Sequence, residues 1–87
     1  MEGEGFAEIA PNPVAHTLRL KVVQAKAQSV NVSLMDASGR TLLQRSFVSE
    51  THQHQEEFDV SHLTTGIYFL KVNATDKNAT LKVVKVD

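Results

Sequence analysis

Apolar and polar side chains alternate along much of this chain. In residues 17–22, Leu18, Leu20 and Val22 share one face of an extended strand and polar side chains take the other. Residues 30–34 repeat the pattern. No segment carries apolar side chains at i, i+3, i+4 and i+7 over three turns, as an amphipathic helix would. The pattern therefore predicts an all-β domain.

Turn residues divide the remaining strands. Asp36 and Gly39 predict a hairpin turn over 36–40, because Asp caps turns and Gly tolerates positive φ. The next strand, 41–49, has the adjacent apolar pairs 42–43 and 47–48, which predict a bulge or burial on both faces. The polar stretch 49–57 indicates a loop or a weak edge, and it leads into a short strand around 57–60 with Phe58 and Val60 pointing inward.

The C-terminal third predicts a corner at 61–66, a central strand at 67–73, a turn at 74–78 and a last strand at 79–86. A further strand at 6–9 brings the total to about seven. Seven short antiparallel strands divide naturally into two packed sheets, so the predicted fold is a β-sandwich.

Charge and composition exclude several kinds of partner and chemistry. The 87 residues carry a net charge of -1, so no broad positive field favours nucleic acid or an anionic membrane as the main partner. Residues 66–87 are locally basic, with four lysines against two aspartates. Cysteine is absent, which excludes disulfides and thiolate chemistry. No apolar run approaches the roughly 20 residues that span a bilayer.

Few residues are arranged in a way that suggests metal binding or catalysis. His52 and His54 form a His-x-His pair that would share one face of a strand and could chelate a metal, and Glu56 would continue that face. Two histidines in a solvated loop are the alternative. No nucleophile motif or glycine-rich phosphate loop is present, so we predict no enzymatic activity and no cofactor.

Two motifs are structural. Pro11-Asn12-Pro13 removes two backbone donors and fixes the chain before the first core strand. It predicts a boundary between residues 1–10, a linker that could hold a first edge strand, and a domain over 11–87. Leu63-x-x-Gly66-x-Tyr68 resembles a tyrosine corner, in which a phenol bonds to upstream backbone; a simple core anchor is the alternative.

Four segments together resemble one family. They are Pro11-Asn12-Pro13-Val14, residues 34–40 (LMDASGR), residues 63–72 (LTTGIYFLKV) and residues 82–85 (KVVK). Their order and spacing are similar to the type A C-terminal sorting domain of the type IX (Por) secretion system of Bacteroidetes, from about Pro11 to Val86. Thr64-Thr65 stands where the family often has Ser and a small residue, and the polar stretch 49–55 is longer.

The resemblance implies an immunoglobulin-like β-sandwich at the end of a longer exported protein. It implies transit through the periplasm to the outer membrane or cell surface, with translocon and shuttle proteins and a sortase-like cysteine peptidase as partners. Cleavage would be expected before Pro11, with the cargo then attached to surface lipopolysaccharide. The matching motif residues are Pro11, Pro13, Gly39, Arg40, Leu63, Gly66, Tyr68, Lys71, Lys82 and Lys85.

The last strand is predicted to lie at a sheet edge, where it would offer unpaired backbone groups and lysines to a receptor. We hypothesise that Lys82 and Lys85 contact the export machinery; lysines that only protect a solvated edge are the alternative. Edge strands also make a dimer conceivable. The rival function is an adhesion or carbohydrate-binding module. Carbohydrate sites usually expose aromatic rings for stacking, but this chain has five aromatic residues and no Trp, and we expect at least three of the five to be buried. The composition therefore disfavours carbohydrate binding.

Overall fold

The computed structural model describes residues 2–4, 6–23, 28–49 and 53–87, in which strands are the regular elements. The strands in chain order are β1 (Glu2–Glu4), β2 (Ala7–Ala10), β3 (Thr17–Val23), β4 (Gln28–Asp36), β5 (Thr41–Ser49), β6 (Gln53–Asp59), β7 (Gly66–Asn73) and β8 (Asn78–Lys85). The all-β prediction is confirmed, and the three-residue β1 adds to the strands expected. Nothing in the described part of the chain forms a helix with the length and hydropathy of a bilayer-crossing segment.

The strands form two four-stranded antiparallel sheets. Sheet 1 has the order β1-β2-β3-β6, and sheet 2 has the order β5-β4-β7-β8. β7 lies between β4 and β8, which confirms that residues 67–73 form an inner strand. The two sheets make the predicted sandwich.

The core lies between the sheets and is built from the inward side of each alternating strand. Leu18, Leu20 and Val22 are fully buried, as their spacing predicts. Phe58 and Val60 are buried as well, which confirms their inward orientation. Each such side chain stabilises the fold by about 1.5–3 kcal/mol relative to exposure, so these alternating positions account for much of the driving force.

The irregular strand 41–49 contains a bulge. Leu34 pairs with Leu43 but Met35 pairs with Thr41, so Leu42 is the extra residue. Beyond the bulge, Phe47 packs against the core while Val48 is 56% exposed on the opposite face. The structure therefore has the bulge of the two predicted alternatives, and the outward apolar side chains of β5 are exposed rather than buried.

The polar stretch predicted as a loop or a weak edge is an edge strand over part of its length. β6 begins at Gln53 and pairs with β3 through Asp59. It is longer than the strand expected at 57–60, because the backbone of β3 supplies partners along the whole segment, whatever the side chains are.

Candidate recognition surface

The four motif segments converge at one end of the sandwich, which we call the motif end: residues 11–14, the β4–β5 turn, the corner 60–65 and the last residues of β8. Asp36 pairs with Tyr68 across β4 and β7. Gly66 pairs with Lys85, which also forms a parallel bridge with Val14. Segments far apart in sequence thus become neighbours through sheet 2.

The β4–β5 turn is organised by the Asp36 carboxylate. Its Oδ1 accepts hydrogen bonds from the Ser38 hydroxyl (2.7 Å), the Ser38 N–H (3.0 Å) and the Arg40 N–H (2.9 Å). The Ser38 hydroxyl and the Arg40 N–H are the largest causes that lower the pKa of Asp36 from its usual 3.8 to about 2. Gly39 has φ 91°, a left-handed conformation that disfavours other residues, so the predicted turn and its glycine are confirmed.

The Arg40 side chain extends from the turn into solvent. Its Nε donates to Asp36 Oδ2 at 3.0 Å, yet the side chain is 76% exposed. An exposed pair of this kind stabilises the fold by at most about 1 kcal/mol. The guanidinium therefore keeps most of its donors available to a partner.

The tyrosine corner is present. The Tyr68 side chain is 6% exposed, and its hydroxyl donates to the Thr64 carbonyl at 2.6 Å. The Thr64 hydroxyl lies 3.1 Å from the same phenol oxygen. Tyr68 thus ties the start of β7 to the preceding corner while its ring fills the core.

Between the turn and the corner lies an open depression of about 270 Å³. Its lining combines apolar, acidic, basic and hydroxyl groups: Asp36, Arg40, Leu42, His62, Leu63, Thr64 and Tyr68. Leu63, one of the lining residues, also packs against the core. These groups suit hydrogen bonding and apolar contact with a partner chain.

Residues 12–14 form a clip on the outer edge of β8. The Asn12 side chain donates to the Lys82 carbonyl (2.8 Å) and accepts from the Val84 N–H (2.9 Å). Val14 donates its N–H to the Val84 carbonyl (2.8 Å) and accepts from the Val86 N–H (2.9 Å). The expectation of an unpaired edge is therefore wrong for residues 82–86, since the clip supplies their partners.

Pro11 and Pro13 flank Asn12, are exposed, and each follows a cis peptide bond. The alternation rules that identify strands do not reveal the role of Asn12, because its partners lie 70 and 72 residues away. The only signal in the sequence is a polar residue held between two prolines. This makes Asn12 the residue of the motif end that our sequence analysis missed.

Lys85 differs from its expected role. Its side chain is 4% exposed, and its ammonium donates to the Val86 carbonyl at 2.9 Å. It is turned away from solvent, because it continues the inward row of β8, which is Ala79, Leu81 and Val83. The same alternation in the sequence would have placed it there. Lys82 and Lys71 are exposed, and a contact of Lys82 with the machinery stays a hypothesis.

The histidine pair is only partly visible, because His52 lies outside the described residues. His54 points inward at the side of the sandwich, where its ring stacks on Phe47 at 4.5 Å between centroids. Its Nε2 lies 3.2 Å from Glu56 Oε2. No group of three or more His, Cys, Asp or Glu side chains in the described ranges is placed to hold a metal ion.

Three aromatic rings, Phe6, Phe58 and Tyr68, are buried, as expected. Carbohydrate-binding surfaces stack sugars on exposed rings. These three rings cannot supply such a platform, and the half-buried Phe69 is the described ring on an outer sheet face, which disfavours the carbohydrate-binding alternative.

The chain was also compared with known proteins. A comparison with curated proteins found no match. Dimeric latent PorU from Porphyromonas gingivalis, solved by crystallography, is similar in structure with a TM-score of 0.72 and 16% sequence identity. The likeness covers 92% of this chain and 9% of PorU, and at this identity it shows the fold alone. The model of a protein family described as the secretion system C-terminal sorting domain matches residues 8–86. Because that match spans nearly the whole chain, the protein belongs to this family of sorting domains, as its motifs indicated.

Proposed function

We propose that outer-membrane translocon and shuttle proteins of the type IX system read the motif end of this sorting domain as a folded surface, after it has entered the periplasm with its cargo. Family membership supports a sorting role, which implies a cargo in the same chain and export towards the outer membrane or cell surface. One observation carries the proposal: the motif segments meet only in the folded sandwich. A receptor that requires all of them therefore needs the folded domain.

The test is a fusion of this domain behind a periplasm-directed fluorescent protein, in a bacterium that has the type IX system. We expect surface fluorescence from the wild-type fusion, and its loss when residues 66–87, which hold β7 and β8, are removed. A wild-type fusion that folds but stays in the periplasm would contradict the proposal and favour an adhesion module.

A point variant tests the motif end itself. Arg40→Ala removes an exposed guanidinium there, and Arg19→Ala removes a comparable one, 59% exposed, from the outer face of sheet 1. We expect Arg40→Ala to lower surface delivery and Arg19→Ala to leave it unchanged. Equal delivery by the two variants, with unfolding midpoints like the wild type, would show that the motif end is not read through Arg40.

We further propose that a sortase-like cysteine peptidase separates cargo from domain, and that the cargo is then attached to surface lipopolysaccharide. The predicted domain boundary belongs to this proposal, with 11–87 as the sorting domain and 1–10 as the preceding linker and edge strand, of which β2 is packed onto the domain. β2 is hydrogen-bonded to both β1 and β3, and Ala7 and Ile9 are fully buried. A peptidase needs accessible extended chain, so we place the cut upstream of Ala7. Mass spectrometry of the released domain checks this, and a fragment that begins at Pro11 would contradict it.

We also propose that the chain is a substrate of export rather than an enzyme, and that edge strands could pair two copies into a dimer. Sorting domains are in general non-catalytic. Analytical ultracentrifugation of the purified chain tests for the dimer. A monomer at all accessible concentrations would contradict pairing through edge strands.

A further inference from the structure

The outer face of sheet 2 carries an apolar strip with two lysines beside it. We call it the apolar-basic face, and it consists of Met35, Ile67, Phe69, Lys71, Lys82 and Val84. Phe69 pairs with both Met35 and Lys82, and Ile67 pairs with Val84, so the residues are contiguous across β4, β7 and β8. Ile67 is 37% exposed and both lysines are exposed. Side chains opposite each other on adjacent strands share one face, so the strip forms one surface.

Within its strands the charge on this face is positive, and the Asp87 carboxylate just beyond β8 accepts a hydrogen bond from the Thr65 hydroxyl at 2.9 Å. β4, β5, β7 and β8 are described in full, and within them no acidic side chain faces outward. Asp36, at the end of β4, pairs with the inward-facing Tyr68, and its carboxylate accepts a hydrogen bond within the β4–β5 turn. Among the described residues, neither Lys71 nor Lys82 has an ion-pair partner.

The outer face of sheet 1 is different. Arg19 forms an ion pair with Glu57 at 3.3 Å, and Lys21 pairs in register with Glu8. Both lie on the solvent side of β3, opposite the buried row. Charges of both signs make this an ordinary solvated surface, whereas the apolar-basic face leaves its cations uncompensated.

We propose that the apolar-basic face docks on a protein of the export machinery that presents an apolar patch bordered by acidic side chains. Apolar area at the centre with charge at the rim is the usual anatomy of a protein interface, and complementary charge sets orientation and partner choice. This inference rests on the proposed sorting function and adds the chemistry of the partner. Two lysines suit a protein better than an anionic membrane, whose recognition takes clusters of about four to eight cations.

Export of the same fluorescent fusion tests the face. Lys71→Gln/Lys82→Gln removes both rim charges, and Arg19→Gln/Lys21→Gln is the matched control, with the same change in net charge on the opposite sheet. We expect the first variant to lower surface fluorescence about tenfold, the loss expected when steering and rim contacts are removed, and the control to change it less than about twofold. Phe69→Thr, which keeps a residue suited to strands, should also lower export.

Three results would overturn the proposal. Equal export by both double variants, with unchanged unfolding midpoints, would remove the face as a docking surface while leaving the sorting role intact. Failure of the wild-type fusion to reach the surface would remove the sorting role and this inference with it. Binding of the purified chain to phosphatidylglycerol vesicles, lost in Lys71→Gln/Lys82→Gln, would assign the face to lipid phosphate instead of a protein.

Discussion

The hydrogen bond of the tyrosine corner can be separated from ring packing by two substitutions. Tyr68→Phe keeps the buried ring and removes the donor to the Thr64 carbonyl. One neutral hydrogen bond contributes about 0.5–1.5 kcal/mol, so we expect Tyr68→Phe to destabilise the fold by about 1 kcal/mol. Tyr68→Ala also removes a ring that is 6% exposed, and should cost about 3–5 kcal/mol through lost burial and the cavity left behind.

Urea unfolding of the purified chain measures both free energies. In a domain of this size, 1 kcal/mol lowers the melting temperature by about 4–8 °C, so thermal unfolding gives an independent reading. Thr64→Ala is the control, because it removes only the hydroxyl 3.1 Å from the phenol and leaves the carbonyl acceptor in place. A loss below about 1 kcal/mol for Tyr68→Ala, or no loss for Tyr68→Phe, would refute the corner as a stabilising element.

Three further predictions concern the motif end. Asn12→Ala removes both side-chain hydrogen bonds of the clip and should cost about 1–3 kcal/mol in urea unfolding. Asn12→Asp keeps the acceptor for the Val84 N–H but sets a carboxylate oxygen against the Lys82 carbonyl, so it should not restore the stability, and a wild-type midpoint for either variant would contradict the geometry. Gly39→Ala should cost about 1–2 kcal/mol because φ is 91°, even though a Cβ there meets nothing within 4 Å, and an unchanged midpoint would exclude strain. The lowered pKa of Asp36 stabilises the fold above about pH 3.8, and that contribution is lost as pH falls through about 2; acid titration should show a steeper loss for the wild type than for Asp36→Asn, and parallel curves would contradict it.

Alternation and turn chemistry were sufficient to predict most of the fold. The buried faces of β3 and β7 follow directly from a period of two, and Asp36 and Gly39 identified the β4–β5 hairpin. β6 was harder, because an edge strand with polar side chains resembles a loop until its partner strand is known. Strand pairing depends on two segments, and the pattern of one segment does not show which other segment it pairs with.

The motif end shows the same limit. The phenol contact of Tyr68 was predictable because its partner is four residues away. The Asn12 clip was not, since no local rule joins residues about 70 positions apart. Lys85 was misjudged for another reason: its charge was given more weight than its position in an alternating row. A lysine can bury its long apolar stem when the ammonium reaches a carbonyl, as it does here.

Several residues that identify the family hold the motif end together. Gly39 permits the turn, Tyr68 closes the corner, and Lys85 completes the inward row of β8. Substitution at any of them changes stability before it changes a contact surface. Loss of export in such a variant therefore cannot be assigned to a lost receptor contact without an unfolding measurement on the same variant. Exposed positions such as Arg40, Lys71 and Lys82 avoid this ambiguity, because their side chains contribute little to the fold and can report on recognition alone.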